Sequence, residues 1–208
     1  MQTVQLYYMN ISELSVSPHT CISQLRAERI NAISSEQLQK QSLGVELLLN
    51  YYARTNSKSV PVEYAYNNLG KPCIIDESFY FSLAHSGNIA MCAVSDCDVG
   101  LDVETKKEVK LALSKKVFSD FELQNFNLAE NKADFLIKTW TAKEAYLKLT
   151  GQGLRYPMNN VSVDGSLIFD TENKPLAFIT IQKLSNNSNF AVATYKDHKI
   201  ELKPVTIE

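Results

Sequence analysis

The chain has 208 residues and a formal net charge of −2 at pH 7, with 45% hydrophobic and 21% charged residues. This is the composition of an ordinary globular protein, and its length allows one substantial core or two smaller ones. A nearly neutral chain offers no general surface for nucleic acid, so any phosphate site must be a local basic pocket.

The start of the chain and its cysteines indicate where the protein works. Residues 1–15 contain neither a cationic start nor a long apolar run, so no signal peptide is expected. No stretch approaches the length of a membrane-spanning helix, so no contact with a membrane is expected. The four cysteines have neither CxxC spacing nor the density of a disulfide framework, which predicts reduced thiols in a cytoplasmic protein. They are Cys21, Cys73, Cys92 and Cys97.

A strand at residues 4–9 and two helices are predicted at the start of the chain. The first helix begins at Ser17-Pro18, with proline in its first turn, and runs to about Ile33. The second begins at a capping box with Ser34 as the cap and ends near Arg54. Its core-facing side chains are expected to be Leu38, Val45, Leu48, Leu49 and Tyr52.

Three short strands are predicted next. Residues 62–66 and 79–84 alternate like strands and are separated by a turn at residues 67–70. The segment His85-Ser86-Gly87-Asn88 then turns into a strand at residues 89–94. A single histidine at the end of a strand is more often structural than catalytic, so His85 alone indicates no function.

The following strand carries two acids. In Val99-Gly100-Leu101-Asp102-Val103-Glu104, apolar residues alternate with glycine or acidic residues. A period of two places both carboxylates on one face of the strand and the three apolar side chains on the other. Taken alone, such a pair of acids usually marks a solvated face.

A short helix at residues 111–117 precedes two longer helical segments. Ser119 begins the first of them as the cap of a capping box that Glu122 completes. The second is predicted to begin after Asn131 and to stop at Gly151.

The last of these helices carries Glu144 and Lys148 on one face, one turn apart. If it crosses the end of the acidic strand, these two residues join Asp102 and Glu104. Three hard oxygen donors suit Mg²⁺, and the ammonium suits a phosphate. The alternative is a surface ion pair between Glu144 and Lys148, worth roughly 0.2–0.5 kcal/mol.

Short alternating segments fill the end of the chain and are predicted to be small antiparallel strands. They lie at residues 161–163, 167–169, 177–182, 190–194 and 200–205, with turns at Asp164-Gly165 and residues 185–188. Each half of the chain therefore has a long helix and several short strands, which is an α+β pattern.

The acidic strand and the long helix together resemble the phosphopantetheinyl transferases, of the pseudodimeric, Sfp-like kind. The family pattern is Gly-(Ile/Val/Leu)-Asp-(Ile/Val)-Glu, followed along the chain by Trp-(Ser/Thr)-x-Lys-Glu-(Ser/Ala)-x-x-Lys. The corresponding segments here are Gly100-Leu101-Asp102-Val103-Glu104 and Trp140-Thr141-Ala142-Lys143-Glu144-Ala145-Tyr146-Leu147-Lys148. Gly70-Lys71-Pro72, Phe81-Ser82-Leu83-Ala84-His85-Ser86 and Gly151-Gln152-Gly153-Leu154 resemble further family motifs. Several ordered motifs are more specific than one short pattern.

The resemblance implies a fold of two pseudo-symmetric α+β subdomains, each a small antiparallel sheet packed on a long helix. The N-terminal subdomain, residues 1–97, would bind the nucleotide of coenzyme A. The C-terminal subdomain, residues 98–208, would carry the acids and the catalytic helix. The active site would lie in the crevice between them, in a protein that works as a monomer.

The implied reaction transfers the 4′-phosphopantetheine group of coenzyme A to a serine of an apo acyl or peptidyl carrier protein, and adenosine 3′,5′-bisphosphate leaves. Asp102, Glu104 and Glu144 would hold Mg²⁺, and Lys148 would steady the pyrophosphate. Glu122 is a candidate general base, with helix capping as its alternative role. The residues implied in coenzyme A binding are Lys40, Gly70, Lys71, Pro72, His85, Ser86 and Lys148.

Two other functions are compatible with part of this pattern. A Mg²⁺-dependent phosphodiesterase could use three carboxylates, but it would not call for the Gly-Lys-Pro and histidine motifs upstream. A non-catalytic module that binds coenzyme A or a carrier protein should tolerate loss of the acids, yet all three are present.

Overall fold

The computed structural model describes residues 1–16, 22–75, 78–105, 111–184 and 188–206. The predicted helix start at Ser17-Pro18, residue Cys21 and most of the predicted turn at residues 185–188 lie outside these ranges. None of the helices within the described ranges is both long and apolar enough to cross a membrane.

Five α-helices and eleven strands make up the described part of the chain. The helices are α1 (Gln24–Asn31), α2 (Glu36–Thr55), α3 (Ser114–Val117), α4 (Asp120–Leu128) and α5 (Lys132–Thr150). The strands are β1 (Gln2–Asn10), β2 (Ala65–Tyr66), β3 (Pro72–Cys73), β4 (Tyr80–Ser86), β5 (Ile89–Ser95), β6 (Val99–Thr105), β7 (Ser162–Asp164), β8 (Leu167–Phe169), β9 (Pro175–Lys183), β10 (Ser188–Thr194) and β11 (His198–Pro204). Short 3-10 helices lie at Leu111–Leu113, Gly153–Arg155 and Met158–Asn160.

Two main sheets each carry one long helix. The first has the strand order β11-β1-β5-β4, and the second has the order β6-β10-β9-β8-β7. Helix α2 packs on the first sheet and α5 on the second. The predicted α+β class, with small sheets packed on long helices, is confirmed.

Strand β11 lies in the first sheet although it follows the second sheet in the chain. It pairs in parallel with β1, from Gln2 opposite His198 to Tyr8 opposite Pro204. The antiparallel orientation predicted for residues 200–205 is therefore wrong, because this strand pairs across the molecule and not with the preceding hairpin. The predicted boundary between residues 97 and 98 lies between β5 and β6. Strand β11 comes after this boundary in the sequence but belongs to the first sheet.

The predicted face of α2 is correct except at its start. Val45, Leu48, Leu49 and Tyr52 are buried, as predicted, whereas Leu38 is 48% exposed. Leu38 lies in the first turn, ahead of the segment that packs in the core. The cap is Ser35, whose side chain accepts a hydrogen bond from Leu38 N, and not Ser34 as predicted.

Two other boundaries differ from the prediction. The strand predicted at residues 62–66 is reduced to the two residues of β2. Strand β4 continues through Ser86, so the turn into β5 contains only Gly87 and Asn88.

The acidic strand β6 separates two apolar clusters. Its side chains Val99, Leu101 and Val103 pack between the two sheets, together with residues of β1, β5 and β10. Its other face lies against α5. The predicted division of the strand into an apolar face and an acidic face is confirmed. The acidic face meets α5, as the hypothesis of a helix crossing this strand requires, and not solvent.

Candidate active site

A glycine lets α5 approach the acidic strand closely. A Cβ atom on Gly100 would overlap the carbonyl oxygen of Ala145 and lie 2.5 Å from the backbone nitrogen of Leu149. Glycine is required at this crossing, since the atoms it faces are helix backbone and any Cβ would push α5 away from the strand. The crossing places the last turns of α5 over Asp102.

Both ends of α5 are where the sequence predicts them. The side chain of Asn131 accepts a hydrogen bond of 2.9 Å from Asp134 N and caps the start of the helix. Gly151 ends the helix with a φ of 77°, a left-handed conformation that favours glycine.

Lys148 pairs with Asp102 and not with Glu144. Its Nζ atom lies 2.8 Å from Asp102 Oδ1 and donates a longer hydrogen bond of 3.4 Å to the carbonyl oxygen of Leu83. Asp102 is buried, with 7% of the residue exposed. Within the described part of the chain its second oxygen, Oδ2, is also buried and has no hydrogen-bond partner.

The carboxylates of Asp102, Glu104 and Glu144 are close enough for their charges to interact. Burial raises the pKa of Asp102 to about 6, against the opposing effect of the Lys148 ammonium and with a contribution from Glu104. Burial also raises the pKa of Glu144 to about 7, and the negative charges of Asp102 and Glu104 add to the rise. The site therefore concentrates negative charge that one lysine only partly balances.

The donor set suits a hard divalent cation, although the side chains do not enclose one as they stand. Among the described residues, no group of three or more His, Cys, Asp and Glu side chains is arranged to ligate a single ion. The acids Asp102, Glu104 and Glu144 nevertheless supply carboxylate oxygens, which Mg²⁺ prefers. The buried Oδ2 of Asp102 needs a positive or hydrogen-bonding partner that these described residues do not give it. The residues fit a cation of this kind.

Two serines of β4 fasten the acidic strand. The hydroxyl of Ser82 accepts a hydrogen bond of 3.0 Å from Leu101 N. The hydroxyl of Ser86 accepts one of 3.1 Å from Thr105 N and donates one of 3.0 Å to Glu104 Oε2. Because Ser86 is buried and its hydroxyl is already engaged, this residue holds the Glu104 carboxylate in place.

A cavity of about 190 Å³ lies beside Lys148, between the two halves of the chain. Lys71 lines it, but its ammonium is engaged by Asp98 Oδ1 at 2.7 Å and by the carbonyl oxygen of Leu149 at 2.8 Å. The structure thus brings Lys148 and the Gly-Lys-Pro segment to one cavity. Its wall consists of Leu69, Gly70, Lys71, Pro72, Phe81, Ser82, Leu83, Leu147, Lys148, Gly151 and Gly153.

The family model of the 4′-phosphopantetheinyl transferase superfamily matches residues 98–202, just over half of the chain. The chain belongs to this superfamily. The matched segment includes all three acids of the site and Lys148. The family expected from the sequence motifs is thereby confirmed.

Individual members of the superfamily are similar to this chain over part of their length. The 4′-phosphopantetheinyl transferase psf-1 of Bacillus pumilus is 38% identical over 94 residues, which cover 44% of this chain and 40% of that protein. The 4′-phosphopantetheinyl transferase Sfp of Bacillus subtilis (strain 168) is 33% identical over 106 residues, which cover 49% and 47% respectively. The chain therefore spans less than half of the length of either relative.

A solved structure of holo-[acyl-carrier-protein] synthase from Neisseria meningitidis is also similar. Its TM-score is 0.38 and its sequence identity 18%, and the match covers 48% of this chain and 98% of that chain.

Three residues of the predicted coenzyme A site, Lys40, His85 and Ser86, do not line the cavity. Lys40 forms an ion pair of 3.0 Å with Glu36, one turn earlier on α2. His85 is exposed near the end of β4. Ser86 is buried and its hydroxyl contacts Glu104 and Thr105. The roles of all three residues toward coenzyme A stay predictions.

The position of Glu122 favours its structural alternative in this superfamily member. The residue is 1% exposed, and both hydrogen bonds of the capping box with Ser119 are present. Its Oε1 accepts a hydrogen bond of 2.8 Å from Val163 N, and its Oε2 forms a buried ion pair with Lys143. Both oxygens are therefore engaged inside the protein.

Three buried polar residues were not singled out from the sequence. Lys143 stands in the Trp-Thr-Ala-Lys-Glu motif, and its burial could have been anticipated from its place between Ala142 and Ala145 on the packed face. Ser82 and Asn189 carry no local signal, because their positions beside the acidic strand depend on sheet pairing.

Proposed function

We propose that the chain transfers the 4′-phosphopantetheine group of coenzyme A to a serine hydroxyl of an apo acyl or peptidyl carrier protein. The observation that carries this proposal is the convergence of Asp102, Glu104 and Glu144 with Lys148, which lines the cavity, within the segment that matches the superfamily. The relatives named transferases support the same reaction class.

The acids Asp102, Glu104 and Glu144 would hold Mg²⁺, which would neutralise the pyrophosphate of coenzyme A when bound. The buried Oδ2 of Asp102, which has no hydrogen-bond partner among the described residues, supports this assignment. Ser86 keeps Glu104 oriented through its hydroxyl.

Lys148 would bind a pyrophosphate oxygen and stabilise the charge that develops on the leaving group. In the transfer, the serine oxygen forms a bond to the β-phosphorus, and the bond from that phosphorus to the leaving phosphate oxygen breaks. Adenosine 3′,5′-bisphosphate departs with the electron pair, and the hydroxyl proton passes to water. Glu122, with both oxygens engaged, would serve as a cap and not as the base.

The first half of the chain would bind the nucleotide. Gly70 and Pro72 would border the adenine, and Lys71 would reach the phosphates once it leaves Asp98. Lys40 and His85 would bind the 3′-phosphate. We assign residues 1–97 to nucleotide binding. We assign residues 98–208 to the cation-binding acids and the catalytic helix, and β11 of this second segment completes the first sheet.

We further infer a monomer that works in the cytoplasm. Residues from both halves of one chain line the cavity, so a second copy is not needed to build it. Cys73, Cys92 and Cys97 carry free thiols, as expected of a reducing compartment. Light scattering of the eluting protein during size-exclusion chromatography would test the monomer.

Incubation with coenzyme A, Mg²⁺ and a panel of apo carrier proteins tests the reaction, with intact mass as the readout. The expected result is a gain of one phosphopantetheine group by at least one carrier, lost when the carrier serine is changed to alanine. An Asp102→Ala variant that remains folded should give no product. Cleavage of coenzyme A without any carrier would instead indicate a phosphodiesterase, and binding without any product a non-catalytic module.

A further inference from the structure

Asn189 is a buried polar residue that the proposed reaction does not use. It lies in β10 and has no exposed surface. In the described part of the chain, neither Nδ2 nor Oδ1 of its side chain has a hydrogen-bond partner. A buried amide without partners is costly to a folded protein, so its retention calls for an explanation.

The strand register places Asn189 beside the acids. Asn189 lies directly opposite Glu104, and Ala191 lies directly opposite Asp102. Directly opposed residues of antiparallel strands point to the same face of the sheet. Asn189 therefore shares the face of β6 and β10 that carries both acids.

The packing of β10 identifies this face as the one that α5 covers. Ala191 and Ala193 pack with residues of α5, whereas Phe190 and Val192 pack between the two sheets. Since side chains alternate along a strand, Asn189 lies on the α5 side. Its carboxamide is thus directed into the space between β6, β10 and α5, where the acids lie.

A second buried oxygen in the same space also lacks a partner. Asp102 Oδ2 makes no hydrogen bond to the described residues, although Oδ1 of the same carboxylate is paired with Lys148. Two unpaired acceptors on one face call for a shared positive or donating group. Amide and carboxylate oxygens are ligands of hard divalent cations and hydrogen-bond acceptors for their waters.

We propose that the Asn189 carboxamide is a fourth oxygen-bearing group of the divalent-cation site, with Oδ1 coordinating the cation or accepting a hydrogen bond from its hydration water. This inference rests on the proposed function only in assigning a cation to the acids. It adds a residue from β10 to a site otherwise built from β6 and α5.

Binding of Mn²⁺, followed by electron paramagnetic resonance on the full chain, tests this inference without coenzyme A or a carrier. We expect Asn189→Leu to weaken Mn²⁺ binding by about tenfold or more, the scale found for groups that support metal ligands. Its melting temperature should not fall below the wild-type value, because the substitution removes a buried unpaired amide. Asn189→Asp keeps an oxygen at this position and should bind Mn²⁺ at least as tightly as the wild type.

Asn50 provides a matched control in the first half of the chain. It is also a buried asparagine, but both of its polar atoms have partners. Its Nδ2 donates a hydrogen bond of 2.8 Å to Glu46 O, and its Oδ1 accepts one of 2.7 Å from Val62 N. Asn50→Leu should lower the melting temperature and leave the Mn²⁺ affinity of the folded protein unchanged.

Equal Mn²⁺ affinity in Asn189→Leu and the wild type would overturn the inference, whatever the melting temperature. Loss of binding in Asn189→Asp as well as in Asn189→Leu would overturn the role of the oxygen. Equal Mn²⁺ affinity in Asp102→Asn and the wild type would overturn both this inference and the cation site of the proposed function. Normal Mn²⁺ binding without any transfer would overturn the proposed function alone.

Discussion

At the residue scale, two lysines of α5 differ in what their surroundings allow them to do. Lys143 has no exposed surface and contacts Glu122 together with the carbonyl oxygens of Val117 and Met158. Lys148 has a side chain that is 33% exposed, faces the cavity and contacts Asp102. The first lysine is fully engaged by the fold, while the second can exchange a protein carboxylate for a ligand phosphate.

Lys148→Met should reduce kcat and leave KM for coenzyme A much less affected. A charge-assisted hydrogen bond that strengthens in the transition state contributes to kcat, and loss of one such donor costs roughly 10²–10³-fold. Steady-state kinetics on an apo carrier protein, with the melting temperature measured in parallel, checks this. Wild-type turnover in a protein of lowered melting temperature would show that Lys148 serves only to pair with Asp102.

Lys143→Met should destabilise the protein by about 3–5 kcal/mol, because it leaves the Glu122 carboxylate buried without its partner. The double variant Lys143→Met with Glu122→Gln should recover part of that loss. Urea unfolding curves give the comparison. Lys199→Met, which breaks an exposed pair with Glu201 of 3.2 Å, is the control and should cost at most about 1 kcal/mol.

The same variants separate the two roles of Glu122. If Glu122 is only a cap, the Glu122→Gln variant should retain a kcat close to that of the wild type when it is assayed at a low temperature at which it is folded. A large drop in kcat with an unchanged circular dichroism spectrum would restore Glu122 as the general base.

At the element scale, each long helix meets its sheet at a glycine, but the glycines face different atoms. A Cβ on Gly100 would meet the backbone of α5, at Ala145 and Leu149. A Cβ on Gly44 of α2 would lie 2.6 Å from a side-chain methyl of Ile11 and 2.9 Å from the Cβ of Ala90. The crossing of β6 and α5 therefore has less freedom to adjust.

Gly100→Ala should destabilise the protein more than Gly44→Ala. Overpacking typically costs about 1–3 kcal/mol, and the cost is greatest where backbone must shift. Gly100→Ala should also lower transfer activity, since moving α5 moves Lys148 away from Asp102. Denaturant unfolding and transfer assays on both variants check this, and a larger loss of stability in Gly44→Ala would contradict the account.

Features encoded by neighbouring residues could be predicted from the sequence. Asn131 and Gly151 bound α5 as predicted because capping depends on residues within one turn. The partner of Lys148 could not be predicted, because Glu144 lies on the same helix while Asp102 comes close only when α5 crosses β6. Whether the two acids of the strand face solvent or α5 also depends on this crossing, so the sequence left both alternatives open. The position of Asn189 follows only from its register with Glu104.

At the scale of the whole molecule, β11 joins the second half of the chain to the first sheet. His198, at its start, is in contact with Thr194 Oγ1 through Nδ1 at 2.7 Å. Its Nε2 is buried and has no hydrogen-bond partner among the described residues. Burial lowers the pKa of His198 below its usual value of 6.5, although Asp197 opposes the shift.

This lowered pKa predicts a loss of stability in mild acid. Below pH 6.5 the unfolded chain takes up a proton at His198 that the folded protein resists, so the free energy of unfolding falls as pH decreases from that value. The contribution is fully present above pH 6.5. Relative to His198→Asn, the wild type should therefore lose stability between pH 7 and pH 5 in urea titrations, and parallel curves for the two proteins would contradict this.

The pairing of β1 with β11 also constrains how the protein is made. A ribosome releases β1 long before it has synthesised β11, so one edge of β1 stays without its neighbour during most of translation. Unpaired strand edges invite association with other chains, and pairings so distant in sequence form slowly. We expect nascent chains halted before residue 198 to leave β1 open to proteases and chaperones, and the first sheet to close only when β11 emerges.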